Sequence, residues 1–519
     1  MKKIIGFVVV LCALGFASVD AQVIELVKDV KLGSGHSNPT VLTAYHNKLY
    51  FIATSAAQGS ELWETQGTPN TTKLIKTLRT KYNQSGIVHS IECIVYHDKF
   101  YFAEADDKDG FILWQSDGTI DGTTAVKQFT PSTRSFNPYS LTLFNDKLFF
   151  LAGDELSNSA IWMSDGTTTG TAILKNITPN SRLLPLPNTL LYIDSFRLWR
   201  TDGSIGGSQK LSDNISVFAD YVRLDKDKVY FLGFNLNAPN DILLYISDGT
   251  TSGTVPLKGD YPKTRTSLVR FVTTLNNKFY FTAYDSNNNN ILWSYDNTSK
   301  GFEQVRFLNN DGGLFGTAIY NNKFYFTLYT PFFTNEMWVS DGTFDGTSVA
   351  IRVNVQDGNP VVFHNKLYFI ADVNNGNELW TYDPTAGSTY RIESPEFNDH
   401  INGPLAAGTT FYEYNGALYY TANYDTTGWE LWRMRDTTAA SVKEKSFATT
   451  FSVYPSISHS TIHIEIAKPT TITITNILGA TVIKREMQAS DDIDVSRLSS
   501  GTYFIHNADN SAVGKFYRD

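Results

Sequence analysis

Read for its apolar positions, the stretch 140–177 divides into four runs, each too short for a helix and each bounded by turn residues. Residues 140–144 make the first run, Asn145-Asp146 supplies a turn whose two residues tolerate positive φ, and residues 147–152 (KLFFLA) are apolar with little alternation. An unbroken apolar run of that length predicts a strand buried on both faces. A polar loop over 153–159, a third strand over 160–164, the turn Asp165-Gly166-Thr167 and a last strand over 171–177 complete the unit. Four successive strands predict an antiparallel meander, and no segment of the unit carries a helical period.

The same pattern recurs nine times. Its aromatic anchor falls at Trp63, Trp114, Trp162, Trp199, Tyr245, Trp293, Trp338, Trp380 and Trp432. Eight intervals cover 369 residues, a period of about 46 that suits propeller blades. A second signature, Asn or Asp followed by Lys, an apolar residue and two aromatics, begins at Asn47, Asp98, Asp146, Asp227, Asn277, Asn322 and Asn365, with looser versions at Asn188 and Asn415. Sheets with two apolar faces have to stack on both sides, and a ring of them leaves only short, protected edges. The predicted fold is therefore all-β: a multi-bladed β-propeller of four-stranded antiparallel blades, eight or nine in number, followed by a small Ig-like β-sandwich.

In this fold the indoles of Trp63, Trp114, Trp162, Trp199, Trp293, Trp338, Trp380 and Trp432 fill the gaps between neighbouring sheets, each burying roughly 150–250 Å². Asp117, Asp165, Asp202, Asp248 and Asp341 stand at the start of the turn that follows, where an aspartate accepts backbone N–H groups and the next glycine takes positive φ. Those roles are structural, not catalytic. Residues 23–30 (VIELVKDV) resemble the last strand of other copies, such as 72–78, so the N-terminal stretch is expected to complete the final blade, whose own last strand is poor.

The anchor motif resembles the bacterial ELWxxDGT repeat family over roughly residues 23–445, most specifically at 114–119 (WQSDGT), 162–167 (WMSDGT) and 338–343 (WVSDGT). The resemblance implies a β-propeller, often in a secreted protein. The chain departs from it at Gln66, which replaces the Asp of copy one, at Tyr245, and in copies six, eight and nine, which lose the Gly.

Both ends read as addresses. Lys2 and Lys3, the apolar run 4–17 and Val19-Asp20-Ala21 predict a signal peptide over 1–21 with a cut ahead of Gln22. Residues 22–448 are assigned to the propeller and 449–519 to a separate domain, in which 461–466 and 470–475 alternate as half-buried strands. Tyr454, Pro455, Gly479, Leu498, Gly501, Tyr503 and Lys515 resemble the type A C-terminal sorting domain of the type IX secretion system of Bacteroidetes-type bacteria, with Ser456-Ile457 where that pattern has Asn-Pro. The resemblance implies Sec export, transport across the outer membrane by the type IX machinery, and release or attachment at the cell surface.

Composition narrows the chemistry. A net charge of −9 without basic blocks argues against a nucleic-acid surface, and Leu11 before Cys12 argues against lipidation. Cys93 is the one thiol beyond the signal segment, which leaves no intrachain disulfide. No metalloprotease, phosphate-loop or nucleophile-elbow motif occurs, and no catalytic residue is assigned. His46, His97 and His364 take equivalent hairpin turns, one per blade, and read as turn residues instead of metal ligands. Calcium is the one cofactor considered, for oxygen-rich loops at 106–109, 285–289 and 372–378, although these lack the twelve-residue pattern with its terminal Glu. For ligand binding, the inter-blade loops offer Arg79, Tyr82, Arg134, Phe136, Tyr139, Arg182, Tyr261, Arg265, Phe397 and His400, whose rings and guanidinium forks suit an acidic glycan or a peptide. Three classes of function stay open: a surface or secreted binding module, a propeller hydrolase or lyase acting on polysaccharide, and a purely structural surface protein.

Overall fold

The computed structural model describes the chain apart from residues 1–20, 56–58, 81–91, 107–109, 130–137, 154–158, 180, 260–268, 286, 288, 309–313, 330–334, 357, 373–375, 393–402, 407, 425–426, 438–450, 455–456, 459, 467–469, 477–479, 489, 507–511 and 519. Two compact units are present, one spanning 22–436 and the other within 437–519.

The larger unit is a β-propeller. Among the described residues it contains nine antiparallel sheets, eight of which follow the chain as blades 1 to 8 at 40–79, 93–129, 139–177, 183–210, 215–256, 270–307, 314–351 and 354–391. Blade 9 takes three strands from 412–437 and its outermost strand from the other end of the chain, Ala21–Lys28. In blade 8 the innermost position is shared by two short strands, Asn354–Val355 and Val361–Phe363. The only helical turn among the described residues is a 3-10 turn at Pro69–Thr71.

Alternation along the second strand of each blade holds the ring together. In Lys48–Ala53, Tyr50 packs toward blade 2 and Phe51 toward blade 9. The same split recurs at Tyr101 and Phe102, Phe149 and Phe150, Tyr230 and Phe231, Tyr280 and Phe281, Tyr325 and Phe326, and Tyr368 and Phe369. Successive side chains on a strand point to opposite faces, so one dipeptide serves two interfaces. Nine apolar clusters result, one between each pair of neighbouring blades, including blade 9 against blade 1. The ring is closed.

Each of the nine anchor aromatics belongs to a different one of these clusters, always on the side of the preceding blade: Trp63 faces blade 9, Trp114 blade 1, Trp162 blade 2, and so on around to Trp432 against blade 8. A β-bulge accompanies the indole in five blades. In blade 2, Leu113 pairs with Lys127 but Trp114 with Ala125, and the extra residue, Val126, is buried in the same cluster as Tyr101 and Trp162. Trp63, Trp162, Trp293 and Trp338 sit at matching register shifts. A bulge bends and twists the outer strand locally, which lets it follow the flared edge of a blade.

The smaller unit has a three-stranded sheet (Phe451–Tyr454, Thr461–Ile466, Asp491–Asp494) and a five-stranded sheet. In the second sheet the last strand of the chain, Ala512–Arg518, is paired on both sides, antiparallel to Gly501–His506 and parallel to Ile457–Ser458. One core lies between the sheets, with Ile462, Ile464 and Ile493 from the first meeting Ile472, Ile474, Tyr503, Ile505 and Phe516 from the second.

Candidate functional site

The Asp-Gly-Thr turns spend their chemistry on themselves. In blade 2, Asp117 Oδ1 accepts the Thr119 N–H at 2.9 Å and the Thr119 hydroxyl at 2.7 Å. Asp165, Asp202, Asp248 and Asp341 repeat this arrangement at 2.7 Å to the hydroxyl. These hydrogen bonds, the hydroxyl first, hold the carboxyls of Asp117, Asp165, Asp202 and Asp341 below the usual range. Underneath, a buried hydroxyl pair closes the base of four of these five turns, as Ser116 with Thr123 at 2.7 Å and Ser164 with Thr171 at 2.6 Å. Such a carboxylate has one oxygen held as a cap and lowered basicity, which makes it a poor general base.

The glycine of the motif has a second duty. Gly118, at φ +87°, lies against the Tyr50 hydroxyl of the preceding blade so closely that a Cβ would overlap it. Gly166 meets Tyr101, Gly342 meets Tyr280 and Gly67 meets Tyr419 in the same way. Two copies that lack the glycine show what replaces it. Tyr230 donates to Asn297 Oδ1 at 2.9 Å, and Tyr368 to Asp436 Oδ2 at 3.3 Å, both acceptors standing at the glycine position. Six of the turns are thus sockets for a neighbouring tyrosine, whereas Gly203 meets Phe149 and Gly249 meets Thr189.

At the seam between blades 9 and 1 the rim opens into a recess of about 560 Å³ lined by Asn47, Gln66, Tyr414 and Asn415. Local turn chemistry places all four. His46-Asn47 and Asn415-Gly416 are two-residue hairpins with positive φ at both positions, and Gln66 replaces the aspartate that would cap its own turn. The Gln66 amide instead donates to the Asn47 carbonyl at 3.4 Å. Beside the recess, Glu25 on the N-terminal strand receives Arg433 at 2.7 Å and Arg435 at 2.6 Å, and Lys48 pairs with Glu64 at 2.6 Å.

A buried carboxylate secures the same seam from the other end of the strands. Glu430 is fully buried and accepts the Val30 N–H at 3.2 Å, the Lys31 N–H at 3.3 Å and the Ser37 hydroxyl at 2.6 Å. Burial is the largest influence and, against the pull of those donors, raises its pKa to about 7. A folded value above the unfolded one means that the native state keeps a proton the unfolded chain releases as pH climbs from about 4.5 to 7. Stability falls through that window by an amount on the order of 3 kcal/mol and is level above it. Melting curves of Glu430→Gln should lack this decline and coincide with the parent near pH 4.5. Parallel profiles for the two proteins from pH 4.5 to 8 would show that Glu430 is not the group responsible.

The structure separates the proposed rim residues that it describes. Arg79 is buried between blades 1 and 2, its guanidinium 3.7 Å from the buried Glu104. Burial holds the Glu104 carboxyl above its usual range, partly offset by Arg79. Tyr139 packs into the interface of blades 3 and 4, and Arg182 is exposed at the entrance to blade 4. Tyr82, Arg134, Phe136, Tyr261, Arg265, Phe397 and His400 lie outside the described residues.

Two of the three turn histidines reach across to another blade. His46, His97 and His364 stack on Tyr45, Tyr96 and Phe363 at 3.9–4.0 Å. His97 also reaches Asp146 at 2.8 Å, and His364 reaches Asp436 at 3.2 Å. In the oxygen-rich loops, Asp106 accepts Gly110 N–H at 2.7 Å and the Gln128 amide at 2.7 Å, while Asp285 accepts the N–H groups of Asn287 and Asn289. No group of three His, Cys, Asp or Glu side chains that could hold a metal ion occurs among the described residues. The Cys93 thiol, packed between blades 1 and 2, is pushed up by burial and is a poor nucleophile.

In the smaller unit, Tyr503 stacks on Phe516 at 5.5 Å and donates to the Ser499 carbonyl at 2.9 Å, with Leu498 packed on the same core. Gly501 takes φ +153° at the start of its strand. Pro455 and Gly479 fall outside the described residues, and only the backbone is described at Tyr454 and Lys515. Residues 452–516 match the secretion system C-terminal sorting domain. The sorting domain thus begins one residue into the first strand of the unit and runs into its last. No curated protein matches the chain.

Solved structures similar to the chain include the β-propeller domain of the Trilobed protease from Pyrococcus furiosus, at 12% identity over 69% of this chain and 98% of that one, with a TM-score of 0.33. A puromycin hydrolase matches at 13% identity over 72% of this chain and 59% of its own, TM-score 0.35. A prolyl endopeptidase matches at 9% identity over 93% and 56%, TM-score 0.38. The chain spans less than two thirds of the length of the latter two. No helix among the described residues is long and apolar enough to cross a membrane.

Proposed function

We propose that this chain is a secreted or cell-surface binding module, a propeller of ELWxxDGT-type repeats that takes a glycan or protein ligand and leaves the cell through type IX secretion after Sec export. The observation that carries export is the sorting-domain match over 452–516. Binding is supported by a division of labour in the ring: the repeated aspartates are consumed within their turns, whereas the hairpin rim varies among His-Asn, His-Asp, Asn-Asp, Asn-Asn and Asn-Gly pairs. A rigid scaffold that carries variable rim residues is a common arrangement for recognition.

Deleting 449–519 should leave the protein inside the producing cell, with the level in medium and on the surface falling to background. A truncated chain that is secreted like the parent overturns the export reading. The secreted protein should then bind members of a panel of neutral and acidic glycans and purified surface proteins without turning them over. Turnover of polysaccharide would move the assignment to a hydrolase or lyase, and silence on every probe would leave a structural surface protein.

A further inference from the structure

Resting on that reading, we infer that the recess at the seam of blades 9 and 1 is a binding site for a neutral sugar unit. Its four lining residues are three carboxamides and a phenol, none of them charged in the ordinary pH range. A carboxamide offers two donors and an acceptor within one planar group, which suits adjacent sugar hydroxyls that each donate and accept. Tyr414 adds an aromatic ring for the apolar face of a pyranose. The nearby cations are already engaged, Lys48 by Glu64 and both Arg433 and Arg435 by the one carboxylate of Glu25, which leaves the pair of arginines one positive charge in excess. A volume of about 560 Å³ accommodates one or two sugar rings.

The seam combines an Asn pair at its hairpins, shared with the interfaces of blades 6 and 7 and of blades 7 and 8, with a glutamine that no other copy has at its turn. Between blades 2 and 3 the equivalent hairpin residues, His97 and Asp146, bridge the rim at 2.8 Å. At the seam those positions hold Asn415 and Asn47, both of which line the recess. Where seven other copies place an aspartate that caps its own turn, copy one has Gln66, whose longer amide leaves the turn and turns toward Asn47.

The test uses the full secreted chain and a panel of methyl glycosides of neutral hexoses and N-acetylhexosamines with their oligomers, read by saturation-transfer NMR and calorimetry. Two variants convert the seam into an ordinary interface: Gln66→Asp restores the turn cap, and the pair Asn47→Asp with Asn415→His installs the bridge found between blades 2 and 3. Each should keep the parent melting temperature and lose about tenfold or more in affinity, the effect of removing one or two hydrogen bonds to a sugar. Asn321→His with Asn365→Asp, between blades 7 and 8, should leave affinity unchanged. Sugar binding retained in both seam variants, or no neutral sugar bound while acidic glycans or proteins are, overturns the site and leaves the binding-module reading intact. Absence of binding to every glycan and protein overturns both.

Discussion

A chain lacking residues 22–31 should lose most of the propeller's stability and, where it still folds, should unfold in a broadened transition. The deleted strand contributes Ile24, Val27 and Val30, all buried, to two separate inter-blade clusters. At roughly 1.5–3 kcal/mol for each apolar side chain, their loss costs about 5–9 kcal/mol. That is comparable with the whole stability of an ordinary domain, about 5–15 kcal/mol. The deletion also strips Glu430 of two backbone donors and leaves a buried carboxylate poorly matched. Val27→Ala gives a milder version that still folds, with a cost of about 2 kcal/mol in denaturant. A melting temperature unchanged in both proteins would mean that the N-terminal strand does not close the ring.

The second large effect is at the anchor indoles. Trp162 is sandwiched between Phe150 of its own blade, stacked at 6.3 Å, and Phe129 of blade 2, edge-on at 5.2 Å, with the Lys127 ammonium 5.3 Å from its ring. Trp162→Ala should cost about 3–5 kcal/mol, because two rigid sheets cannot collapse into the space left behind. Its indole N–H meets no protein acceptor, so bulk and shape are what the position uses. Trp162→Phe should accordingly recover more than half of the lost stability. Equilibrium unfolding of both variants decides the matter: an alanine variant as stable as the parent would deny the indole its wedging role.

Much of this architecture was readable from the chain because its determinants are local. The paired Asn, Asp and His residues of 46–47, 97–98 and 276–277 announce hairpins with positive φ, and the structure has positive φ at each of them. The strand 23–30, which resembles a last strand, is paired with the final blade. What stayed hidden depends on neighbours distant in sequence. Blade number was open because nine copies exceed the usual four to eight blades and copies four and nine are looser, and all nine form sheets. The tyrosines that dock on Gly67, Gly118, Gly166 and Gly342 come from a different repeat, so the motif alone shows only the need for positive φ. Arg79 reads as a rim residue until Glu104, on the next sheet, is placed opposite it. The seam recess is least legible of all, since residues 47 and 415 meet only once the circle is complete.

Closure by the first strand also imposes a timetable. The Val30 amide and the Glu430 carboxylate that receives it are 400 positions apart, so no intermediate chain length can make that contact. Blades 1 to 8 can each collapse as their residues emerge, but the last sheet stays incomplete until residue 437 has arrived and the opposite terminus swings across to meet it. Joining such distant partners is slow, because the entropy of a very long loop has to be lost before any contact offsets it. During that interval the chain presents an unpaired strand edge at each end and is at its most vulnerable to proteases and to mispairing with a second copy.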